Sequence, residues 1–416
     1  MSRKDTREIF DPIHGFIKLT PLMQDIIYTW EFARLYDLHQ MGGAYLIYPS
    51  AVHKRSEHSI GVSHLAGIMA ETLINGEDVH MIMCKDGIER LSLNLAGNSH
   101  IKKAYLITKK RFVEMCRIAG LVHDIGHGPY SHLYDYHVKP YDEPEHEERG
   151  IQMLTEMVAK YNLPIENEEL ELIKTMIVPP DTDQKYLWYY QIVANKVCDI
   201  DVDKIDYIQR DCFHTGLGFG GEWSRLLTMC EAKTCPKTGI KTIVWSYKLQ
   251  DEIFQLFASR YRLHKHVCGH HTLKAYEFII TKILKIARKE VEHFTDLTDS
   301  IVTCRLYKNI RHLQEKIAKK EIPILIGEKT IYKKEEECSY PRFVLDLIFD
   351  SFDMGLSSGE ENPLNNVPYI KNNNVNYMKK DEMGLCMPKI HKETILRLYT
   401  TDPNKIKEAE KLWETL

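Results

Sequence analysis

Residues 117–132 read Arg-Ile-Ala-Gly-Leu-Val-His-Asp-Ile-Gly-His-Gly-Pro-Tyr-Ser-His, with three histidines and a carboxylate inside ten positions. His123 and Asp124 are adjacent, and His127 follows His123 by four, a spacing that puts both rings on one face of a helix. Imidazole beside carboxylate suits a hard-to-borderline divalent metal, and such an ion acidifies water for hydrolysis. Three other segments carry matching groups: His53-Lys54-Arg55-Ser56-Glu57-His58, Glu145-His146-Glu147, and the run from Asp199 through Asp203, Lys204, Asp206 and Tyr207 to Asp211. Read as a helix, that run places Asp199, Asp203 and Asp206 on one face and Lys204, Tyr207 and Asp211 on another. A carboxylate row would then lie beside a row able to contact phosphate. Taken singly, a helical histidine is more often structural and an Asp-x-Asp more often solvated. A His helix, a His-Asp pair and a later Asp helix in this order make a more specific set. Val202, Ile205 and Ile208 mark the Asp helix as packed, so its acids need partners.

Helices must position these groups. Apolar residues recur at helical spacing from Pro21 to about Gln40, where Gly42-Gly43 is expected to end the helix. Ser56 suits an N-cap for a helix from Glu57 to Leu73, and helical patterns recur over Phe112 to His123, 145–161, 168–177, 188–212 and 250–290. Asp11 to Leu19 reads as a turn and a short strand, and residues 75–110 as an insertion. Gly239 to Trp245 is the clearest strand, one arm of a hairpin. Ile322 to Lys333 is β-branched and suits strands, Asn362 to Asn376 reads as loop, and Ile390 to Trp413 has helical periodicity. The expected fold is mainly α, with a helical catalytic core over 1–285 and a smaller mixed α/β lobe over 286–416.

The 416 residues carry a net charge of -4, so no global basic field calls for nucleic acid. Lys102, Lys103, Lys109, Lys110 and Arg111 read as a solvated surface. The N-terminus has no apolar leader, and no apolar stretch is long enough for a bilayer, which predicts an intracellular protein, cytoplasmic or nuclear, away from membranes. The 10 cysteines include no C-x-x-C pair, as expected of free thiols in a reducing compartment.

The ordered set His58, His123-Asp124 and Asp203 resembles the HD-domain metal-dependent phosphohydrolases. Further motifs resemble the deoxynucleoside triphosphate triphosphohydrolase branch, specifically the HD core of the sterile-alpha-motif/HD-domain type, with the sterile-alpha-motif domain expected to be absent. These are Asp11-Pro12-Ile13-His14-Gly15, Gln40-Met41-Gly42-Gly43, Arg55-x-Glu57-His58-Ser59-x-Gly61-Val62, the run from His123 to His132, and Asp201-Val202-Asp203-Lys204-x-Asp206-Tyr207.

The resemblance implies a helical HD fold in which His58, His123, Asp124 and Asp203 hold one divalent ion (Fe, Mn, Zn or Mg), with room for an additional Mg on the triphosphate. It implies attack of the activated water on the α-phosphorus, giving deoxynucleoside and triphosphate, as in a dGTPase. His132, oriented by Asp135, would handle protons, and His127 and His146 would contact phosphate. Arg55, Lys204, Tyr207 and Arg260 match phosphate and sugar contacts, Gln40 and Asp211 the 3′-hydroxyl, and Met41 the sugar's C2′ side. The partners implied are a nucleoside triphosphate and further copies of the chain, in a dimer or tetramer.

Two departures stand out. Cys268 and Gly269 occupy the family's sugar-packing Tyr-Gln positions, and Tyr28, Ala33 and Tyr36 replace the acid, Gln and Arg of a guanine-nucleotide activator site. The second predicts activity without GTP, or activation through a different site. The alternatives are a phosphohydrolase for another nucleotide (a ribonucleotide or a monophosphate) and a catalytically silent HD scaffold.

Overall fold

The computed structural model describes residues 5–74, 79–84, 87–92, 104–180, 188–236, 238–305, 307–332, 343–344, 346–359, 361–378 and 390–415. The chain opens with a hairpin of β1 (Arg7–Asp11) and β2 (Gly15–Leu19), in register from Arg7↔Leu19 to Asp11↔Gly15. At its turn the Asp11 carboxylate accepts the N–H groups of Ile13 and His14, both at 2.9 Å.

The single helix expected from Pro21 to Gln40 is broken into α1 (Pro21–Ile27), α2 (Trp30–Ala33) and a 3-10 turn over Arg34–Asp37. The cause is a pair of threonines. The Thr20 and Thr29 hydroxyls accept the N–H groups of Met23 and Phe32 at 3.2 and 3.3 Å, so each starts a helix of its own. Gly42 and Gly43 end no helix; they open a second 3-10 turn, Gly42–Leu46. The central helix α3 (Arg55–Ile74) starts earlier than expected, and Ser56 lies fully buried inside it rather than capping it.

Within the stretch read as an insertion, β3 (Val79–Cys84), β4 (Gly87–Ser92) and β5 (Ala104–Ile107) form a sheet of order β4-β3-β5. Helix α4 (Lys109–Val122), capped by Thr108, packs along α3. Then come α5 (His132–His137), α6 (His146–Tyr161), α7 (Asn167–Ile177), a 3-10 turn over Trp188–Ile192, α8 (Val202–Thr215) and α9 (Ser224–Thr228). The helix expected over 188–212 is thus two elements. Asp201 divides them, its carboxylate accepting the Lys204 N–H at 2.9 Å to cap α8.

The expected hairpin forms from β6 (Cys230–Thr234) and β7 (Lys241–Ser246). The helix expected over 250–290 is α10 (Gln250–Leu263) and α11 (His271–Ala287), joined by a π turn at His264–Cys268 in which the Gly269 N–H donates to the His264 carbonyl at 2.6 Å. The remaining elements are α12 (Ser300–Thr303), α13 (Arg311–Lys319), β8 (Ile324–Ile331), β9 (Phe343–Val344), β10 (Leu347–Gly355), β11 (Pro368–Lys371), β12 (Asn374–Tyr377), β13 (Lys392–Thr400) and α14 (Ile406–Glu414).

Two expectations in the last third fail. The Asn-rich stretch is a hairpin: β11 pairs β12 around Asn372 and Asn373, whose φ values of 50° and 67° suit a two-residue turn. Ile390 to Trp413 is strand then helix, because β13, with its β-branched Thr394 and Ile395, fills the centre of an antiparallel sheet ordered β8-β13-β10-β9. A second sheet, β12-β11-β7-β6, sets β11 parallel to β7.

The fold is mainly helical, with a smaller strand-containing C-terminal region. Its largest apolar cluster joins α3, α4, α7, α8 and α10 through residues such as Val62, Met115, Ile173, Ile205 and Phe257. Cys116, Cys198, Cys212 and Cys230 are buried free thiols. Among the described residues no helix is long and apolar enough to cross a membrane.

Candidate metal centre and active site

Helix α4 ends at Val122, so His123 and Asp124 emerge at its C-terminus, facing α3 and the start of α8. Hydrogen bonds fix both expected histidine ligands in one tautomer. His123 Nδ1 lies 2.8 Å from the Gly120 carbonyl and His58 Nδ1 lies 2.7 Å from Asp206 Oδ2; each donates, leaving Nε2 as the atom able to bind a metal once it has shed its own proton. His58 Nε2 stands 3.0 Å from Asp203 Oδ1 and 3.6 Å from Asp124 Oδ2. His123 Nε2 is buried without a hydrogen-bond partner, 3.4 Å from carboxylate oxygens of both Asp124 and Asp203. Ligand atoms of His58, His123 and Asp203 all lie within 4.8 Å of one another, a group able to hold a metal ion. Asp124 completes the cluster and is also ion-paired with Arg55, whose Nε donates to Ser131 Oγ at 3.1 Å.

The electrostatics are those of carboxylates bound to cationic partners. Burial pushes the Asp203 carboxyl up, but hydrogen bonds from His123 and His58 outweigh it and carry it below the usual carboxylate range. Burial likewise opposes, and Arg55 then His123 overcome, to hold Asp124 well below that range. For His58, burial pulls down while Asp203 and Asp206 push up, and the result is about 10.

Beside this cluster stands a second. His127 stacks on His146 with centroids 3.8 Å apart, and His132 meets both edge-on at 5.3 and 5.6 Å. Gly126 permits the approach, since a Cβ there would overlap the His146 carbonyl and the Gly150 nitrogen. Burial, Arg55 and His146 hold His127 well below the ordinary histidine range, hence neutral. The expected pairing of His132 with Asp135 is not what forms. The Asp135 carboxylate lies 2.9 Å from His146 Nδ1 and accepts from Arg149 at 2.7 Å. Arg149, anchored on the Gly126 carbonyl at 2.7 Å, draws that carboxylate inward. The His132 ring is exposed and stacks on Tyr136 one turn along.

The residues expected to contact phosphate and sugar form two groups. Lys204 pairs with Asp199 at 2.7 Å, and Tyr207, pushed up to about 12 by burial against the pull of Arg260 and Lys204, sits near both. Arg260 donates to the Gly355 carbonyl at 3.0 Å. In the other group Asp211 lies 2.7 Å from His53 Nε2, and His53's carbonyl accepts the Gln40 N–H at 3.0 Å. The Gln40 side-chain oxygen is buried without a partner, and Met41 is half-buried against the core. Cys268 joins the groups, pushed up to about 12 by burial and by Asp211, with Arg260 opposing. Asp199 does not share a helical face with Asp203 and Asp206, because it precedes the Asp201 cap at φ 62°. A cavity of about 1050 Å³ opens alongside, bordered by Glu145, Glu147, Lys196, Asp199 and Glu361.

The HD domain family matches residues 55–211, a span holding Arg55, His58, His123, Asp124, Asp203, Lys204, Tyr207 and Asp211. This stretch of the chain is an HD domain. The chain is 29% identical to deoxynucleoside triphosphate triphosphohydrolase SAMHD1 of Mus musculus, over 96% of this chain and 69% of that protein. The Homo sapiens protein of the same name is 29% identical over 95% of this chain and 70% of its own length. The SAMHD1 homolog of Dictyostelium discoideum is 30% identical over 83% of this chain and 62% of its own. Similarity therefore extends well beyond the HD domain itself.

Sequence reasoning gave no separate role to several residues beside the candidate site. His264 is held well below the ordinary histidine range by burial, then by Arg260, His132 and Lys204. Its spacing of four from Arg260 was the available signal. Asp206 was read as a member of a carboxylate row and of a family motif, and His14 as part of another motif.

Proposed function

We propose that this HD-domain phosphohydrolase is a metal-dependent deoxynucleoside triphosphate triphosphohydrolase, converting dNTP and water to deoxynucleoside and triphosphate, with dGTP among its substrates. The observation that carries this reading is the convergence of two tautomer-fixed imidazoles, one with an orphaned buried Nε2, on Asp203 and Asp124. The names of the relatives supply the substrate class.

His58, His123, Asp124 and Asp203 would hold the divalent ion, which when bound supplies a water acidic enough to attack phosphorus near neutral pH. Arg55 would exchange Asp124 for a phosphate oxygen, offering its planar fork, while Lys204, Tyr207 and Arg260 take the remaining negative charge. His127, neutral, and His146 would face the phosphates. Attack at the α-phosphorus breaks its bond to the sugar oxygen, and His132, with its exposed ring, would return a proton to that leaving oxygen. Asp135 holds His146 and Arg149 and so supports this wall of the site at one remove. Gln40 and Asp211 would recognise the sugar hydroxyl, with Met41 packed against the ring. An additional Mg on the triphosphate and assembly into a dimer or tetramer belong to the same reading.

Incubating the purified chain with each dNTP and NTP, with Mn²⁺ or Mg²⁺ and without GTP, tests the proposal directly. Release of intact triphosphate is expected. Orthophosphate or pyrophosphate as product, or turnover of monophosphates alone, points to a different phosphohydrolase, and nucleic-acid binding without any turnover points to a scaffold. A rate detectable only after GTP is added removes the expectation of activator independence.

The raised His58 value predicts proton-linked metal uptake. Near neutral pH the metal-free ring carries a proton held by Asp203 and Asp206, and an entering ion must displace it. Affinity for Mn²⁺ should therefore climb with pH, by up to about tenfold per unit below the His58 value, with release of roughly one proton or more. Calorimetry in two buffers of different ionisation heat reads the proton count; a count of zero contradicts the assignment of His58.

A further inference from the structure

Asp206 lies outside the cluster that would touch the ion, yet it is fully buried and accepts from four donors. His14 Nε2 reaches its Oδ1 at 2.6 Å and Arg210 Nη2 the same oxygen at 2.9 Å; His58 Nδ1 reaches Oδ2 at 2.7 Å and Arg210 Nε that oxygen at 2.9 Å. Arg210 is itself fully buried and passes its remaining nitrogen to Asp11 Oδ2 at 2.8 Å. Asp11 closes the circuit, its other oxygen holding the amides of Ile13 and His14 at 2.9 Å. Both hairpin residues precede the HD-family match over 55–211. Room for the network comes from Gly61 on α3, where a Cβ would overlap Asp206 Oδ1 and Arg210 Nη2.

We propose that the N-terminal turn positions the metal-binding histidine. His14 and Arg210 fix the plane of the Asp206 carboxylate, and Asp206 fixes the tautomer and tilt of His58, so that Nε2 points at Asp203 and Asp124. The inference rests on the reading of His58 as a metal ligand. With two oxygens and four donors, Asp206 has little rotational freedom left; loss of the His14 donor leaves Oδ1 held by Arg210 alone, which loosens the carboxylate and lets the imidazole shift. Partners of metal-bound histidines commonly alter metal affinity by ~10–100-fold when removed. His14 acts one bond further out, and Asp11 and Arg210 serve it by shaping the turn.

The test loads the full-length chain with Mn²⁺ and follows its release to a chelator, alongside thermal unfolding of each variant. His14→Ala should release the ion about tenfold faster than the natural chain, at the low end of the range for such partners. His14→Gln, whose amide can still donate, should recover most of the retention. Asp206→Asn should release fastest, and adding His14→Ala to it should change nothing further, because the relay is already cut. Unaltered release in His14→Ala with only a lower melting temperature would make the turn a structural prop and overturn the proposal. So would independent, additive effects of His14→Ala and Asp206→Asn. If His58→Ala retains Mn²⁺ as well as the natural chain does, the ligand assignment itself falls and the relay with it. If retention depends on His58 but not on His14, only the relay falls.

Discussion

Asp203→Ala should lower nucleotide hydrolysis by at least ~10³-fold and strip the purified protein of most of its divalent metal. An ion that activates water contributes several kcal/mol to the barrier, and each 1.36 kcal/mol is about a factor of ten. Asp203 is where His58 Nε2 and His123 Nε2 meet, at 3.0 and 3.4 Å, so its removal takes a ligand and the charge that gathers both rings. The fold should survive, because the Asp203 side chain is 37% exposed while Asp206, on the same helix, carries the buried network. Elemental analysis beside a triphosphate-release assay checks both halves. Activity retained with normal metal content removes Asp203 from the ligand set.

The largest expected effect on stability lies at Arg210→Ala, about 3–5 kcal/mol. The guanidinium is fully buried between Asp206 and Asp11, and its loss strands two carboxylates in the interior with their solvation already surrendered. Asp206, now held well below the usual carboxylate range against burial by Arg210, His14 and His58, would rise and take up a proton in acid sooner. The contrast is Lys18→Ala. Its pair with Glu8 spans 3.9 Å between side chains 69% and 54% exposed, and such a pair contributes about 1 kcal/mol at most. Denaturant titration of the two variants should separate them by a shift in midpoint at similar slope. Equal midpoints would mean that water reaches Arg210.

The chemistry-bearing residues were legible because they travel in short runs. His123 and Asp124 are neighbours at a helix end, and α8 declares its packed face through Val202, Ile205 and Ile208. What stayed hidden depends on distance or on backbone detail. The contact between His14 and Asp206 joins positions 192 apart, and no local period encodes it. Thr20 and Thr29 look like ordinary residues in an apolar helical pattern until their hydroxyls are seen capping two separate helices. Asn372 and Asn373 carry the composition of a loop and the backbone of a hairpin turn, and only strand pairing tells these apart. His132 and Asp135 were joined by the family resemblance, whereas Arg149 decides where that carboxylate goes.

The parallel pairing of β11 with β7 bears on how this chain must be made. Residues 241–246 leave the ribosome more than a hundred positions before 368–371, so one edge of their sheet waits, unpaired, through that interval of synthesis. Closing a parallel register over so long a loop is intrinsically slow. A fragment stopped short of Pro368 would keep that edge permanently open to neighbouring chains. The late strand therefore doubles as a cover for the early one, and the order of synthesis sets when the protein first becomes safe from its own copies.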